Sequence, residues 1–128
     1  MKIRRRDDGD VTIFELSGNF SGGQDSYDFE HAIEQLIDEK RWNTVVNFKN
    51  VKWINSPGIG ILMRNYSHYV RFGGQMVIAE LNTRIAILFD MMIRNIFEVY
   101  KTEKEAVEVL RNRAAAPATK KESTAATS

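Results

Sequence analysis

Apolar and polar positions alternate at the start of the chain and then change period. Residues 2–7 and 11–17 read as two strands around Gly9, with Val11, Ile13 and Glu15 alternating against Thr12, Phe14 and Leu16. Residues 17–23, rich in Ser, Gly and Asn, interrupt that pattern. Beyond them Phe29, Ala32, Ile33, Leu36 and Ile37 form the stripe of an amphipathic helix, with Asp25 as its expected N-cap. Thr44 to Phe48 is short and mostly β-branched, as a buried strand would be, and Asn50 to Lys52 reads as a turn leading to Trp53 and Ile54. A second helix is expected from Pro57, with Ile59, Leu62, Met63, Tyr66 and Val70 on its apolar face and Gly73-Gly74 as its stop. Met76 to Ala79 is the next strand, and Asn82 caps a third helix carrying Ile85, Leu88, Phe89 and Met92. Phe97 to Tyr100 follows as a last strand, and Thr102 with Glu105 opens a fourth helix through Ala106, Val109 and Leu110.

The resulting order, ββαβαβαβα, predicts one α/β domain over residues 1–112, a mixed central sheet packed with about four helices. From Arg113 the composition turns to Ala, Thr, Ser and Lys without apolar periodicity, so residues 113–128 are expected to form a flexible tail.

Composition narrows the function classes. A length of 128 residues suits one hydrophobic core. With no Cys, disulfides and thiolate chemistry are excluded. No apolar run is long enough for a bilayer and no signal-peptide layout is present, so a cytoplasmic location without membrane attachment is expected. The net charge of +1 gives no general attraction to nucleic acid. The run Arg4-Arg5-Arg6 is answered at once by Asp7, Asp8 and Asp10 and reads as a solvated strand edge.

The most informative stretch runs from Val51 to Leu62, where an apolar strand becomes a helix at Ser56-Pro57. Ser suits the N-cap and Pro the first helical position. Gly58 and Gly60, however, each weaken the first turn by about 1 kcal/mol relative to Ala, so their presence points to a close approach by something else. A phosphate on Ser56 would meet the positive end of the helix dipole and add nearly two negative charges to a flat glycine surface.

Asn55-Ser56-Pro57-Gly58-Ile59-Gly60 resembles the Asp-Ser-Ser/Thr-Gly-Leu-Gly signature of the STAS family, the domain shared by sulfate transporters and bacterial anti-sigma factor antagonists. Gly73-Gly74-Gln75-Met76-Val77-Ile78 and Leu88-Phe89-Asp90-Met91 are similar to two further family segments, and the resemblance extends from about residue 3 to residue 110. It implies a non-enzymatic antagonist that binds an anti-sigma factor with a kinase-like ATPase domain, with Ser56 as phosphoacceptor and a phosphoserine phosphatase as a further partner. Asn55, Ser56, Pro57, Gly58, Ile59, Gly60, Ser21 and Gly22 would make the partner surface; no cofactor, metal or direct nucleic-acid contact is implied. Asn55 and Ser21 stand where the family usually has Asp, which bears on kinase recognition. A constitutive scaffold or signalling-complex subunit of the same fold, without phosphorylation switching, is the alternative.

Other chemistry finds little support. Gly58-Ile59-Gly60 lacks the third glycine of a dinucleotide site and the Lys of a P-loop. His31 and His68 stand apart from other ligand-type residues and read as surface or boundary residues, leaving Ser56 without an activating base. Met91, Met92, Ile93, Ile96 and Phe97 read as core, as do Tyr66, Tyr69 and Phe72 at full or half burial.

Overall fold

Alternation around Gly9, which takes φ +61°, produces the expected hairpin between β1 (Lys2–Asp8) and β2 (Val11–Phe20). The computed structural model describes residues 1–93 and 95–114. After the hairpin come α1 (Gln24–Asp38), β3 (Asn43–Ile54), α2 (Ser56–Arg71), β4 (Gln75–Ala79), α3 (Thr83–Met92), β5 (Val99–Tyr100) and α4 (Glu103–Ala114). The strands lie in the order β1-β2-β3-β4-β5, antiparallel between β1 and β2 and parallel thereafter. This is the mixed sheet and the ββαβαβαβα order read from the sequence.

Alternate side chains of the strands feed two cores. Phe14, Leu16, Val46, Phe48 and Ile78 face α1, α2 and α3, whereas Val11, Ile13, Val45, Val77 and Ala79 face α4 through Ala106, Val107 and Leu110. Thus among the described residues α4 alone covers the second face, and it starts only at the level of Asn47 and Arg6, both of which bond the Glu103 carboxylate. The Arg run is not uniformly solvated: Arg5 is held by Asp7 and Glu39, and Arg6 by Glu15 and Glu103, while Arg4 stays 77% exposed.

Several expectations need correction. The segment Asn50 to Lys52 is no turn: β3 continues through it because bulges opposite Glu15/Ser17 and Gly18/Asn19 change its period from two to three. Phe48, Val51 and Ile54 stay in the core while Lys49, Asn50, Lys52 and Trp53 are exposed. Asp25 lies inside α1, whose N-cap is Gly23 with φ +68° and no side-chain cap. In α2 Tyr69 is buried and Val70 exposed, and in α4 Val107 is more buried than Val109. Leu88 is half-buried and Met92 exposed, and β5 is shorter than expected. Among the Met91–Phe97 residues placed in the core, Ile93 is buried, whereas Met91 (76%), Met92 (48%) and Ile96 (39%) are exposed. Phe72 is likewise exposed, resting on His68. Helix α4 takes in Arg113 and Ala114; the remainder of the expected tail lies outside the described residues.

Gly73-Gly74 acts through Tyr69. Gly73 turns at φ +98°, and a Cβ on Gly74 would meet the Tyr69 ring 2.5 Å away. That ring is fully buried; its hydroxyl donates to the Arg41 carbonyl at 2.6 Å and lies 2.9 Å from Thr44 Oγ1. Burial pushes the Tyr69 phenol up to about 12, so it stays protonated and bonded at neutral pH. Gly74→Ala should cost about 1–3 kcal/mol through overpacking, and Tyr69→Phe about 1–3 kcal/mol by leaving buried partners unpaired. Urea unfolding checks both, and a Gly74→Ala variant of unchanged stability would show that the ring yields freely.

Candidate functional site

The ends of β2 and β3 meet where α2 begins. The Asn55 N–H donates to the Phe20 carbonyl at 3.3 Å, and a Cβ on Gly58 would stand 2.1 Å from that same oxygen. No side chain fits there, so Gly58 is fixed by packing: it lets the first turn of α2 lie against the backbone of β2. Gly22, at φ +103°, brings the following loop beside Pro57, where an added Cβ would be 3.3 Å from the Pro57 Cβ. The structure therefore joins two sequence segments, Ser21-Gly22 and Asn55 to Gly60, into one surface at the ends of the parallel strands.

Capping differs from the sequence reading in a way that matters for chemistry. Asn55, not Ser56, is the N-cap; its Oδ1 accepts from the Gly58 N–H at 2.8 Å, and Pro57 occupies the first turn. Ser56 is the first helical residue and exposed, and no hydrogen bond among the described residues engages its hydroxyl. The Ile59 N–H already donates to the Asn55 carbonyl, so the first turn leaves essentially the Ser56 N–H for an incoming anion. A phosphate on Ser56 would thus project outward, favoured by the helix dipole but not buried in a nest of amides. Such a group remains available to repel a partner.

Gly60 contrasts with Gly58. It is exposed one turn beyond Ser56, and a Cβ there would meet nothing within 4 Å. Its lack of a side chain therefore has no internal packing cause. Ile59 is buried at 3% exposure, so it supports the helix from below and offers little surface of its own.

Asp25, read as a helix cap, instead orders the glycine loop. Asp25 is buried; one carboxylate oxygen accepts from the Ser21 N–H at 2.9 Å and the other pairs with the Met1 ammonium at 3.0 Å. Burial raises the Asp25 pKa, but the Ser21 and Met1 donors outweigh it and hold the carboxyl below its usual range. Ser21, where the family usually has Asp, is thereby held by an acidic residue four positions on. Asn82, which caps α3 as expected by accepting from the Ile85 N–H, also donates to the Val51 carbonyl at 3.2 Å and so ties α3 to the upper part of β3. Ile87 (55%) and Met91 (76%) on that helix are exposed. The sequence reading favours core over partner surface for Met91 and does not single out Ile87, which falls outside the apolar stripe and is the available signal.

Asn55→Ala should destabilise the fold by about 1 kcal/mol through loss of the cap, whereas Ser56→Ala should stay within about 0.5 kcal/mol of the wild type. Equal costs would return the cap to Ser56. For Asp25 the sign follows from its lowered pKa: its stabilisation is present above the ordinary carboxylate range and is lost as pH falls through the depressed value. Amide exchange at Ser21 should therefore accelerate, relative to the intrinsic rate, only at acidic pH, and Asp25→Asn should remove that dependence.

The STAS domain profile matches residues 2–106. The anti-sigma F factor antagonist of Paenibacillus polymyxa is 25% identical over 101 residues, covering 78% of this chain and 86% of that protein. Among solved structures, a candidate anti-sigma factor antagonist of Thermotoga maritima superposes with a TM-score of 0.77 at 16% identity, over 85% of this chain and 94% of that one. The Bacillus cell-fate determinant SpoIIAA in its phosphorylated form gives 0.66 at 14% identity, over 84% and 97%. The profile spans both glycine segments and the helices that carry them, and on that match the chain belongs to the STAS domain family.

Proposed function

We propose that this protein is an anti-sigma factor antagonist that binds an anti-sigma factor bearing a kinase-like ATPase domain, and that phosphorylation of Ser56 releases it. The observation that carries the reading is the exposed Ser56 at the start of α2, whose hydroxyl is not used in the cap, one turn before a glycine with no packing reason to be a glycine. The similarity to the Paenibacillus polymyxa antagonist supports the partner class, and the phosphorylated form of SpoIIAA, similar in fold, supports phosphate as the switch.

In the unmodified state the Gly60 backbone, Pro57, Asn55 and the Ser21-Gly22 loop offer a flat surface without formal charge, on which a partner packs closely. The anti-sigma factor is then sequestered and its sigma factor set free. Phosphoryl transfer from ATP forms a bond from Ser56 Oγ to the γ-phosphorus and breaks that phosphorus's bond to the β,γ-bridging oxygen, so ADP leaves and the hydroxyl proton passes to a base on the kinase. The added charge of about −1.5 to −2 disrupts the contact by repulsion and desolvation. A phosphoserine phosphatase restores the hydroxyl. Asn55 supplies the same capping oxygen that Asp would, so its neutrality alters the charge presented to the kinase without altering the helix start.

Capture from lysate of the source organism on wild-type protein and Ser56→Asp in parallel, with mass spectrometry, tests the reading. A kinase-like ATPase retained by the wild type and lost with Ser56→Asp is expected. Binding that ignores Ser56→Asp, with no phosphate detectable in cells, would instead indicate the constitutive scaffold. Gly60→Ala separates stability from function: it should raise stability by about 0.5–1 kcal/mol, since it relieves a helical glycine in open space, while weakening binding to the captured ATPase. If Gly60→Ala binds as tightly as the wild type, the bare helix face is not the contact.

A further inference from the structure

The two bulges of β3 do more than lengthen the strand. In a regular strand Lys49 and Lys52 would point to opposite faces, since side chains alternate. Here the bulges place Lys49 beside Asn50, opposite Ser17, and Lys52 beside Trp53, opposite Asn19, all four exposed while Phe48, Val51 and Ile54 keep the core face. On the neighbouring strand pair Lys2 stands opposite Ser17, and Arg4 opposite Glu15. These positions continue the sheet face that α4 covers at Val11, Ile13 and Val45, but α4 begins level with Asn47, so the face beyond is bare among the described residues.

That bare area is basic. Among the described residues no ion pair holds Lys2, Lys49 or Lys52, and Arg4 has only a 4.0 Å approach to Glu15, which Arg6 holds more closely at 3.1 Å. Glu103 at its lower border is likewise taken, by Arg6 and Asn47. Trp53, 43% exposed, stands among these cations. Bulges commonly re-aim side chains next to functional sites, and Trp with Arg is the residue pair enriched where interfaces concentrate their energy.

We infer that the uncovered upper half of the sheet, presenting Lys2, Arg4, Lys49 and Lys52 around Trp53, docks an acidic protein segment whose apolar residue packs on the indole. Charge complementarity fixes the occupant: three cations without an internal partner need carboxylates, and one aromatic anchor needs one apolar side chain between them. A nucleic acid fits less well, because strand recognition on a sheet stacks successive bases on several aromatics and this face carries only Trp53 among the described residues. The surface is distinct from the glycine face at Ser56, so a segment bound here leaves that site free.

Titration of the isotopically labelled full chain with a synthetic peptide of Asp and Glu interleaved with Leu and Phe tests this. Amide shifts should concentrate in residues 2–4 and 49–54, with quenching or a blue shift of the Trp53 fluorescence that is absent in Trp53→Phe. Affinity should fall by about tenfold in Lys49→Glu/Lys52→Glu and weaken with salt, since exposed charge pairs govern such contacts. Both Lys residues are exposed, and an unchanged thermal midpoint would show that the double variant keeps its fold. Shifts spread over α1 or α2, or an unaffected double variant, would overturn the inference. Tighter binding of a single-stranded DNA of equal charge would also overturn it, assigning the surface to nucleic acid.

Discussion

The site depends on how closely two backbones can approach at the end of β2. The Phe20 carbonyl accepts from the Asn55 N–H, and the first turn of α2 rests against it at Gly58, where a Cβ would lie 2.1 Å from the oxygen. Buried carbonyls need partners and helix starts need their N–H groups satisfied, and this junction meets part of both requirements. Any side chain at position 58 would push the helix start off the sheet, separate Pro57 from Gly22 and divide the surface. The two glycines of the signature are thus unlike in cause. One is imposed from inside by packing, the other is free of internal constraint, and only the second can be argued to face a partner.

How far the sequence could be read depends on whether local chemistry or tertiary geometry decides. The hairpin at Gly9, the Asn82 cap and the α1 stripe follow from local rules, and the structure agrees with them. Ser56 illustrates the limit: Ser-Pro is a good helix opening, but Asn55 is an equally good cap one position earlier, and only the bond to the Gly58 N–H decides between them. Asp25 was displaced because the glycines before it start the helix early and because its carboxylate serves Ser21 and the terminal ammonium. In β3 the period of three has no signature in propensity scales; Asn50 and the two Lys look like a turn until the register with β2 is known. The two glycine segments were legible as motifs, while Phe20, Trp53 and the exposed face of α3 enter through contacts and burial that no single window of sequence contains.

Net charge hides a strongly uneven distribution. The value of +1 is a difference of counts and says nothing of position: Arg5 pairs with Asp7 and Glu39, Arg6 with Glu15 and Glu103, Arg113 with Glu98, and Arg111 with Asp8. These pairs ring β1 and α4, and being partly exposed they contribute little stability each. What they do is leave the few unpaired cations of the upper sheet without nearby competition. A sequence-wide sum therefore misses the surface on which electrostatics can act.

The two proposed surfaces are distinct but close along the chain, and that proximity would set an electrostatic relation between them. Four residues separate Lys52 from Ser56, which limits their Cα separation to about 14 Å even in a fully extended chain. That is within about two Debye lengths at physiological salt, so a phosphate on Ser56 carrying nearly two charges would be partly felt on the basic face. On the proposed reading it would lower the positive potential there and so weaken an acidic segment, while disrupting the glycine face directly. The sign would be the same for both, but the range would differ: the steric and desolvation part of the effect on the glycine face would persist as salt rises, whereas the effect on the basic face would fade. A single modification at the helix start would then act on two partners with different sensitivity to the medium, because one contact depends on shape and the other on charge.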